Sequence, residues 1–258
     1  MNKFKPLAVA LSLWFGLSPR GAHAQEWTRQ SFLLPKGGFE VTGAPARPEL
    51  MRIGMSRGAG FKPVEIPVNL FWGVTDDVML GITHERGLRF NTGAPNPKLR
   101  DTYNDIGFGS VIFLANGPNY EVDLHAGVPF HQLSPDLFVG LQVGVLGRAN
   151  IARNVALVYD PSLYFGVNRR AMGNGDELHL PIWFYFQATP VVVPFIGTGV
   201  HGQLNRFGDS FAVPLEGGVL FTVSRGIHIG GMLAFPNALG KNGTLDWREL
   251  GFIGQFRF

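Results

Sequence analysis

The final segment, residues 245–258, constrains the fold most, because its residues alternate in polarity. Large apolar side chains share one parity: Leu250, Phe252, Phe256 and Phe258. The opposite parity is mostly polar and includes Glu249, Gln255 and Arg257. Successive side chains of a β-strand point to opposite faces. The segment is therefore predicted to be a strand with one apolar face and one mainly polar face.

The same alternation recurs along the chain in segments of about ten residues, each closed by turn residues. The clearest pair comprises residues 64–73 and 78–83, joined by the turn Val74-Thr-Asp-Asp77. Short and long connections alternate through the series. After residue 24, no run offers the roughly 18 uninterrupted apolar residues of a spanning helix. We therefore predict an all-β fold, a closed antiparallel transmembrane β-barrel with meander topology.

Counting back from the final strand gives eleven strands, the earliest at residues 64–73, with connections at residues 148–153 and 237–243 among others. A barrel with both termini on one side needs an even number, so one more strand must precede residue 60. Residues 50–56 are the best candidate and residues 39–42 the alternative, for a total of about twelve strands. Residues 50–258 are thus predicted to form the barrel. Residues 25–49 are predicted to be an N-terminal periplasmic extension, a plug, or part of the first hairpin.

The closing strand ends on a phenylalanine, with apolar residues at alternate positions before it. In this it resembles the bacterial outer-membrane β-barrel proteins. The resemblance implies that Phe252, Phe256 and Phe258 form an assembly signal read by the barrel-assembly machinery. Residues 72–81 resemble a hairpin of the phenol meta-pathway type outer-membrane transporter family, which implies transport of small organic molecules. The matching residues belong to a turn, so no functional residue carries over.

The start of the chain predicts its compartment. Lys3 and Lys5 precede an apolar run at residues 7–17, and Ala22-His-Ala24 supplies a cleavage site. Residues 1–24 are therefore predicted to be a cleaved signal peptide for export to the cell outer membrane, with an uncleaved anchor as the alternative.

The composition excludes several classes of function. Removing Lys3, Lys5 and Arg20 from the 22 basic residues leaves as many basic as acidic residues, 19 of each, so nothing suggests nucleic-acid binding. The absence of cysteine excludes disulfides, thiolate metal sites and lipid attachment at a cysteine.

A soluble β-sandwich would show the same alternation. It would differ from a barrel in which face of the sheet contacts water. In a barrel the apolar face meets lipid, and aromatic rings concentrate at the two interfaces. Aromatic residues near predicted strand ends are Trp27, Trp72, Tyr103, Tyr120, Phe130, Trp247, Phe256 and Phe258. Pro67, Pro181 and Pro214 fall inside predicted strands, where proline cannot donate to the ladder, so we expect bulges there.

If the apolar parity faces lipid, the other parity lines the lumen. The candidate lumen-lining residues are Glu65, Asn69, Glu121, Asp123, His125, Gln142, Asp160, Tyr164, His179, Trp183, Tyr185, Glu216, His228, Glu249 and Arg257, with Arg52, Ser162, Gln187 and Gln255 on the same parity. Acidic residues outnumber basic ones in this set, which weakly favours cations. The alternative is that the charges pair across the lumen and only hold its shape. Inward aromatic residues, Phe71 among them, either occlude the lumen or guide an aromatic solute.

The function that these features favour is a passive pore for small solutes, including small organic or aromatic compounds. One alternative is an outer-membrane lipid hydrolase, which needs a serine, a histidine and an orienting polar group. Candidates near outer strand ends are His84, His131, His201, Ser134 and Ser210, but no Gly-x-Ser-x-Gly motif occurs. A structural or adhesive surface barrel is a further alternative.

No catalytic residue and no cofactor is predicted. Glu121, Asp123 and His125 share one strand face, but no further ligand that would complete a metal site can be identified, so no metal is predicted. The predicted partners are outer-membrane lipid, the barrel-assembly machinery and a small-molecule solute, with no nucleic acid.

Overall fold

The chain folds into a β-barrel in a computed structural model that describes residues 27–56, 62–91, 102–240 and 243–258. The predicted signal peptide lies outside these residues. The described strand segments are β1 (Phe39–Thr42), β2 (Glu49–Ser56), β3 (Val64–Ile66), β4 (Asn69–Gly73), β5 (Val78–Thr83), β6 (Leu88–Phe90), β7 (Asp105–Gly117), β8 (Tyr120–His131), β9 (Phe138–Ala152), β10 (Val155–Tyr159), β11 (Ser162–Gly166), β12 (Glu177–Phe186), β13 (Val192–Gln203), β14 (Ala212–Ser224), β15 (Ile227–Gly240) and β16 (Trp247–Arg257). Within the described ranges, no helix has the length and hydrophobicity needed to cross a bilayer.

The barrel closes where β16 pairs with both β1 and β2. Val41 lies opposite Phe256, and Ile53 lies opposite Leu250, so β1 and β2 are two parts of one wall strand. Both sequence candidates for the first strand therefore belong to the wall, which begins at Phe39 and not at residue 50. In the same way β3 joins β4, β5 joins β6, and β10 joins β11. The prediction of a closed antiparallel barrel of about twelve strands in meander order is confirmed.

The two ends of the barrel differ in the length of their connections. One end carries the short ones, at residues 74–77, 118–119, 153–154, 187–191 and 225–226. We call it the turn end and the opposite end the loop end. Phe39 and Phe258 exchange backbone hydrogen bonds at the turn end, so the wall both begins and finishes there.

Side chains alternate between the outside and the inside of the wall. On β16, Leu250 and Phe252 are 45% and 42% exposed, whereas Ile253 and Gln255 are 1% and 2% exposed. Other outward apolar side chains are Trp72, Leu80, Phe108, Leu141, Phe165, Leu180, Ile196, Phe221 and Leu233. Such an apolar outer surface is what a transmembrane barrel presents to hydrocarbon.

The interior is less uniformly polar than the sequence pattern predicts. Toward the turn end, several inward side chains are apolar and buried: Val111, Leu146, Phe195, Leu220 and Ile253. They belong to one cluster with Trp27, Phe32, Leu33 and Leu34 from the start of the described chain. The inward positions are apolar there because N-terminal residues fill that part of the lumen.

Several irregularities follow from proline. The ladder between β14 and β15 shifts register beside Pro214, as expected of a bulge, and Pro67 lies in the gap between β3 and β4. Pro181 stays within β12, and the break falls instead in its neighbour, between β10 and β11.

Two predicted strand limits were wrong. Strand β9 continues to Ala152, so Arg148 lies in the wall and not in a turn, and β15 continues to Gly240. In both cases pairing with neighbouring strands extends the ladder through residues whose local sequence is typical of turns.

An inward loop of residues 43–48 separates β1 from β2. A Cβ atom on Gly43 would lie 1.9 Å from the backbone oxygen of Glu49, so only glycine permits the backbone approach that closes this loop. The carbonyl of Ala46 accepts a hydrogen bond from the hydroxyl of Tyr185 on β12 at 2.9 Å. We call residues 43–48 the inner loop, because it reaches from one side of the wall to the other through the lumen.

Candidate functional site: the lumen

The described N-terminal segment, residues 27–38, lies inside the barrel at the turn end. Its contacts reach five wall strands, through Glu121 of β8, Arg148 of β9, Tyr185 of β12, His228 of β15 and Gln255 of β16. These strands are distributed around the closed wall, so one segment can touch all of them only from the interior.

Trp27 anchors the beginning of the N-terminal segment. Its ring centroid lies 4.1 Å from that of Tyr185, and its Nε1 donates to Gln255 Oε1 at 3.1 Å. The residue is only 4% exposed, so the sequence prediction that it belongs to an interfacial aromatic belt was wrong. An amphipathic ring suits a membrane interface and a partly polar interior equally well, and here it occupies the interior.

A buried ion pair binds the middle of the segment. The Glu121 carboxylate accepts hydrogen bonds from Ser31 Oγ at 2.6 Å and from the Phe32 backbone N–H at 2.9 Å. Arg148 Nη2 donates to the same carboxylate at 2.7 Å, and Nη1 donates to the Gln30 carbonyl. One carboxylate and one guanidinium of the wall thus satisfy several polar groups of the segment.

A second ion pair binds the segment from the closing strand. Arg257 donates to the Glu40 carboxylate and, at 2.5 Å and 3.2 Å, to the carbonyls of Ser31 and Phe32. His228 lies 2.8 Å from the Gln30 side chain and 3.0 Å from Thr222 Oγ1. One alternative from the sequence was that charges in the lumen pair with one another. These groups fit that alternative only in part, because many of their hydrogen bonds are to the N-terminal segment.

The inner loop carries a further charge into the lumen. Arg47 Nη2 lies 2.9 Å from Glu216 and 3.3 Å from Glu49. Glu216 also accepts a hydrogen bond from the indole of Trp183. The loop therefore binds the opposite wall through a basic residue that sequence reasoning did not place in the lumen.

An open cavity of about 600 Å³ lies on the loop-end side of the N-terminal segment and the inner loop. We call it the outer cavity, and its lining residues include Asn69, Glu85, Asp105, His125, His131, Gln142, Asp160, Tyr164, Glu177 and His179. Its lower boundary includes Phe71, Val111 and Leu146 of the wall with Ala44 and Pro45 of the inner loop. The cavity therefore has polar, charged walls above an apolar floor.

Three histidines of the outer cavity each face a carboxylate. His125 Nε2 lies 2.7 Å from Asp160 Oδ1, in ion-pair contact without hydrogen-bond geometry. His131 Nδ1 lies 3.0 Å from Glu85 Oε2, and His179 Nε2 lies 3.1 Å from Glu177 Oε2. The charge of the cavity therefore depends on whether these imidazoles are protonated.

Glycine makes the first of these pairs possible. His125 and Ser162 both lie opposite Gly144, on the two sides of β9. A Cβ on Gly144 would lie 2.1 Å from His125 Nε2, so the ring occupies the space that a side chain would fill. The imidazole thereby reaches across one strand to Asp160.

Polar contacts also order the rim at the loop end. Three backbone N–H groups, of Glu85, Arg86 and Gly87, donate to the Asp105 carboxylate at 2.6–3.0 Å. Hydrogen bonds from Arg170 lower the pKa of the Asp176 carboxyl below its ordinary value. These bonds fix the ends of the loops that border the outer cavity.

The structure sorts the sequence-predicted lumen residues into three groups. Near the N-terminal segment lie Glu121, Tyr185, Gln187, His228, Gln255 and Arg257. At the outer cavity lie Asn69, His125, Gln142, Asp160, Tyr164 and His179, with Ser162 bonded to Gln142. On the side of the inner loop and its neighbouring strands lie Arg52, Glu65, Trp183, Glu216 and Glu249.

Asp123 stands apart from these groups. It is fully buried beside the Glu121 region, and neither carboxylate oxygen has a hydrogen-bond partner in the described part of the chain.

Four charged residues of the lumen were not predicted from the sequence: Arg47, Arg148, Glu40 and Glu49. Arg47 and Glu49 lie in a stretch predicted to be a periplasmic extension, a plug or part of the first hairpin, and Arg148 lies in a predicted turn. Glu40 lies on a strand that the sequence suggested only as an alternative.

Several of the residues considered for hydrolysis have other contacts. His84 contacts the Val68 carbonyl and the Tyr103 hydroxyl, while Ser210 donates to backbone carbonyls. Across residues 27–55, 62–91, 102–240 and 243–258, no serine hydroxyl is hydrogen-bonded to a histidine. Glu121 and His125, considered as metal ligands, bind different partners.

Two solved structures share this architecture. One is described as the NanC porin, with a TM-score of 0.54 and 10% identity over 80% of this chain and 97% of that chain. The other is the KdgM porin in complex with disordered oligogalacturonate, with a TM-score of 0.53 and 7% identity over 86% of this chain and 99% of that chain. At these identities the likeness shows the β-barrel fold alone. No family model and no curated protein matches this chain.

Proposed function

We propose that the protein is an outer-membrane channel for small solutes whose turn end is closed by its own N-terminal segment. The observation that carries the proposal is the division of the lumen into an open, polar-walled outer cavity and a filled, partly apolar inner half. A solute can enter from the loop end, and passage requires the residues at the turn end to move. The channel needs no catalytic group and no cofactor.

The orientation follows from the barrel class. Short turns lie at the periplasmic rim of outer-membrane barrels, so the turn end would face the periplasm and the loop end the exterior. The apolar outer surface supports a position in the outer membrane, reached with a cleaved signal peptide. Phe252, Phe256 and Phe258 of β16 would be read by the assembly machinery. Transport of small organic molecules, as in the meta-pathway family that residues 72–81 resemble, belongs to this proposal.

The contacts of the N-terminal segment support reversible closure. Trp27, Phe32, Leu33 and Leu34 bury their apolar side chains at the turn end. Ordering the backbone of residues 27–38 opposes this stabilisation. The bonds to Glu121, Arg148 and Arg257 therefore contribute to whether the segment stays docked.

Planar-bilayer conductance of the full chain and of a variant lacking residues 27–38 tests the proposal. We expect rare or small current steps from the full chain and larger, longer-lived steps from the deletion variant. Glu65→Ala is the matched control, because the described ion pairs of Glu65 are with Arg52 and Arg89 of the wall and do not involve the segment. Each variant must first show the heat-dependent gel mobility of a folded barrel.

The outcomes separate the two parts of the proposal. Equal conductance of the full chain and the deletion variant would retain the channel and refute closure by the segment. A folded deletion variant that passes no current, and that releases no solute from loaded vesicles, would refute the channel. Hydrolysis of phospholipid by either protein would favour the lipid hydrolase instead.

A further inference from the structure

We infer that the outer cavity binds a small organic cation with an apolar body, and that protonation of the cavity histidines releases it. This inference rests on the proposed channel, since the cavity is the chamber that a solute from the loop end occupies first. It adds a chemical class of solute and a condition for its release.

The charges of the lining favour a cation. Among the described residues that line the cavity, the carboxylates are Glu85, Asp105, Asp160 and Glu177, and the guanidinium is that of Arg86. Asp105 is occupied by three backbone N–H groups. The other three carboxylates border the cavity, each within 3.1 Å of an imidazole nitrogen. Carboxylates in a concave, partly desolvated site attract a positive charge and repel a negative one.

The floor of the cavity favours an apolar body on that cation. Phe71, Val111 and Leu146 border the cavity and are themselves 2–4% exposed. Tyr164 adds an aromatic ring higher on the same wall. A volume of about 600 Å³ lies within the range of about 300–1,000 Å³ found for small-molecule sites. An ammonium group near the carboxylates would place an aryl or alkyl group against this floor.

The histidines make binding depend on protons. His125 faces Asp160 across Gly144, and His179 faces Glu177 and stacks on His201, with ring centroids 5.8 Å apart. His131 faces Glu85 and the ring of Tyr164, and it interacts electrostatically with Asp105 and Glu177. A protonated imidazole places a positive charge beside its carboxylate and offsets the attraction of that carboxylate for a cation. Since histidine gains its charge as the pH falls, a cation should bind more weakly at low pH.

A series of three probes with one ring and different charges tests the inference. The full chain in detergent micelles is titrated calorimetrically with phenethylamine, 2-phenylethanol and phenylacetate. At pH 8 we expect the amine to bind best, the alcohol more weakly and the acid least. At pH 5.5 the amine should lose most of its advantage over the alcohol.

Matched variants locate the binding site. Asp160→Asn or Glu177→Gln should weaken binding of phenethylamine on the order of three- to tenfold at pH 8, as expected for loss of one partly exposed charge contact. Asp77→Asn removes the same charge from a turn at the other end of the barrel and should change binding less than twofold. His125→Gln together with His179→Gln should flatten the dependence on pH.

These measurements do not require current through the barrel, so failure of the channel and failure of this inference are distinguishable. Equal or tighter binding of phenylacetate would overturn the inference. So would an equal loss of amine binding in the folded Asp77→Asn variant, or amine binding that strengthens as the pH falls.

Discussion

Substitution of Glu121 by alanine should release the N-terminal segment while leaving the barrel folded. The substitution removes the acceptor for Ser31 Oγ and the Phe32 N–H, and it leaves Arg148 with its bond to the Gln30 carbonyl. A hydrogen bond to a charged group contributes about 1.5–3 kcal/mol. Loss of two such bonds therefore weakens docking by at least about 3 kcal/mol, or roughly a hundredfold in the docking equilibrium.

Thiol accessibility measures this change directly. The chain contains no cysteine, so Leu33→Cys introduces a single thiol at a residue that is 7% exposed when the segment is docked. A membrane-impermeant maleimide should then label Leu33→Cys/Glu121→Ala on the order of a hundred times faster than Leu33→Cys. Adding Glu65→Ala instead removes an inward carboxylate from an ion pair that does not touch the segment, and should change the rate less than threefold.

The reasoning fails if Glu121→Ala leaves the labelling rate unchanged in a protein that retains its folded gel mobility. The same conclusion follows if Glu65→Ala accelerates labelling as much as Glu121→Ala does. That second result would mean that the wall as a whole loosens, and that the segment is not held by its own polar contacts.

Other substitutions test the wall, the outer cavity and the segment separately. Ile196→Lys puts a charge on an outward position that is 57% exposed, and should lower the free energy of unfolding in lipid by about 2–4 kcal/mol in urea titrations. Gly144→Ala should displace the ring of His125 from Asp160 and cost about 1–3 kcal/mol of stability, with an accompanying change in the chemical shifts of the His125 imidazole observed by NMR. Trp27→Ala should weaken docking of the segment by about 3–5 kcal/mol, detected as faster hydrogen exchange in residues 27–38.

The wall could be predicted from sequence because its signal is local. Leu250 and Phe252 alternate with Ile253 and Gln255. This pattern follows from the two-residue period of a strand and from an apolar environment outside the barrel. Strand limits were less predictable, because they depend on pairing. Residues 147–150, Gly-Arg-Ala-Asn, are typical of a turn, yet the ladder with β8 and β10 carries them into β9.

The position of the N-terminal segment could not be predicted in the same way. Its contacts join residues far apart in sequence, such as Trp27 with Gln255, and no periodic pattern reports them. The pairing of His125 with Asp160 could not be predicted from the sequence either, because it requires that Gly144 on the intervening strand leave room for the imidazole. A signal was nevertheless present in the inward parity, where Val111 and Leu146 break the polar pattern.

Those apolar inward residues bear on what the barrel does. A permanently water-filled lumen gives no reason to turn Val111, Leu146, Phe195 and Leu220 inward, since each would then expose apolar surface to water. All four are buried, in one cluster with the N-terminal segment. The segment therefore completes the fold of the turn end, and the open state of the proposed channel must expose these side chains or cover them with solute. A solute that carries an apolar group would lower the cost of opening, which connects the apolar floor of the outer cavity to passage through the turn end.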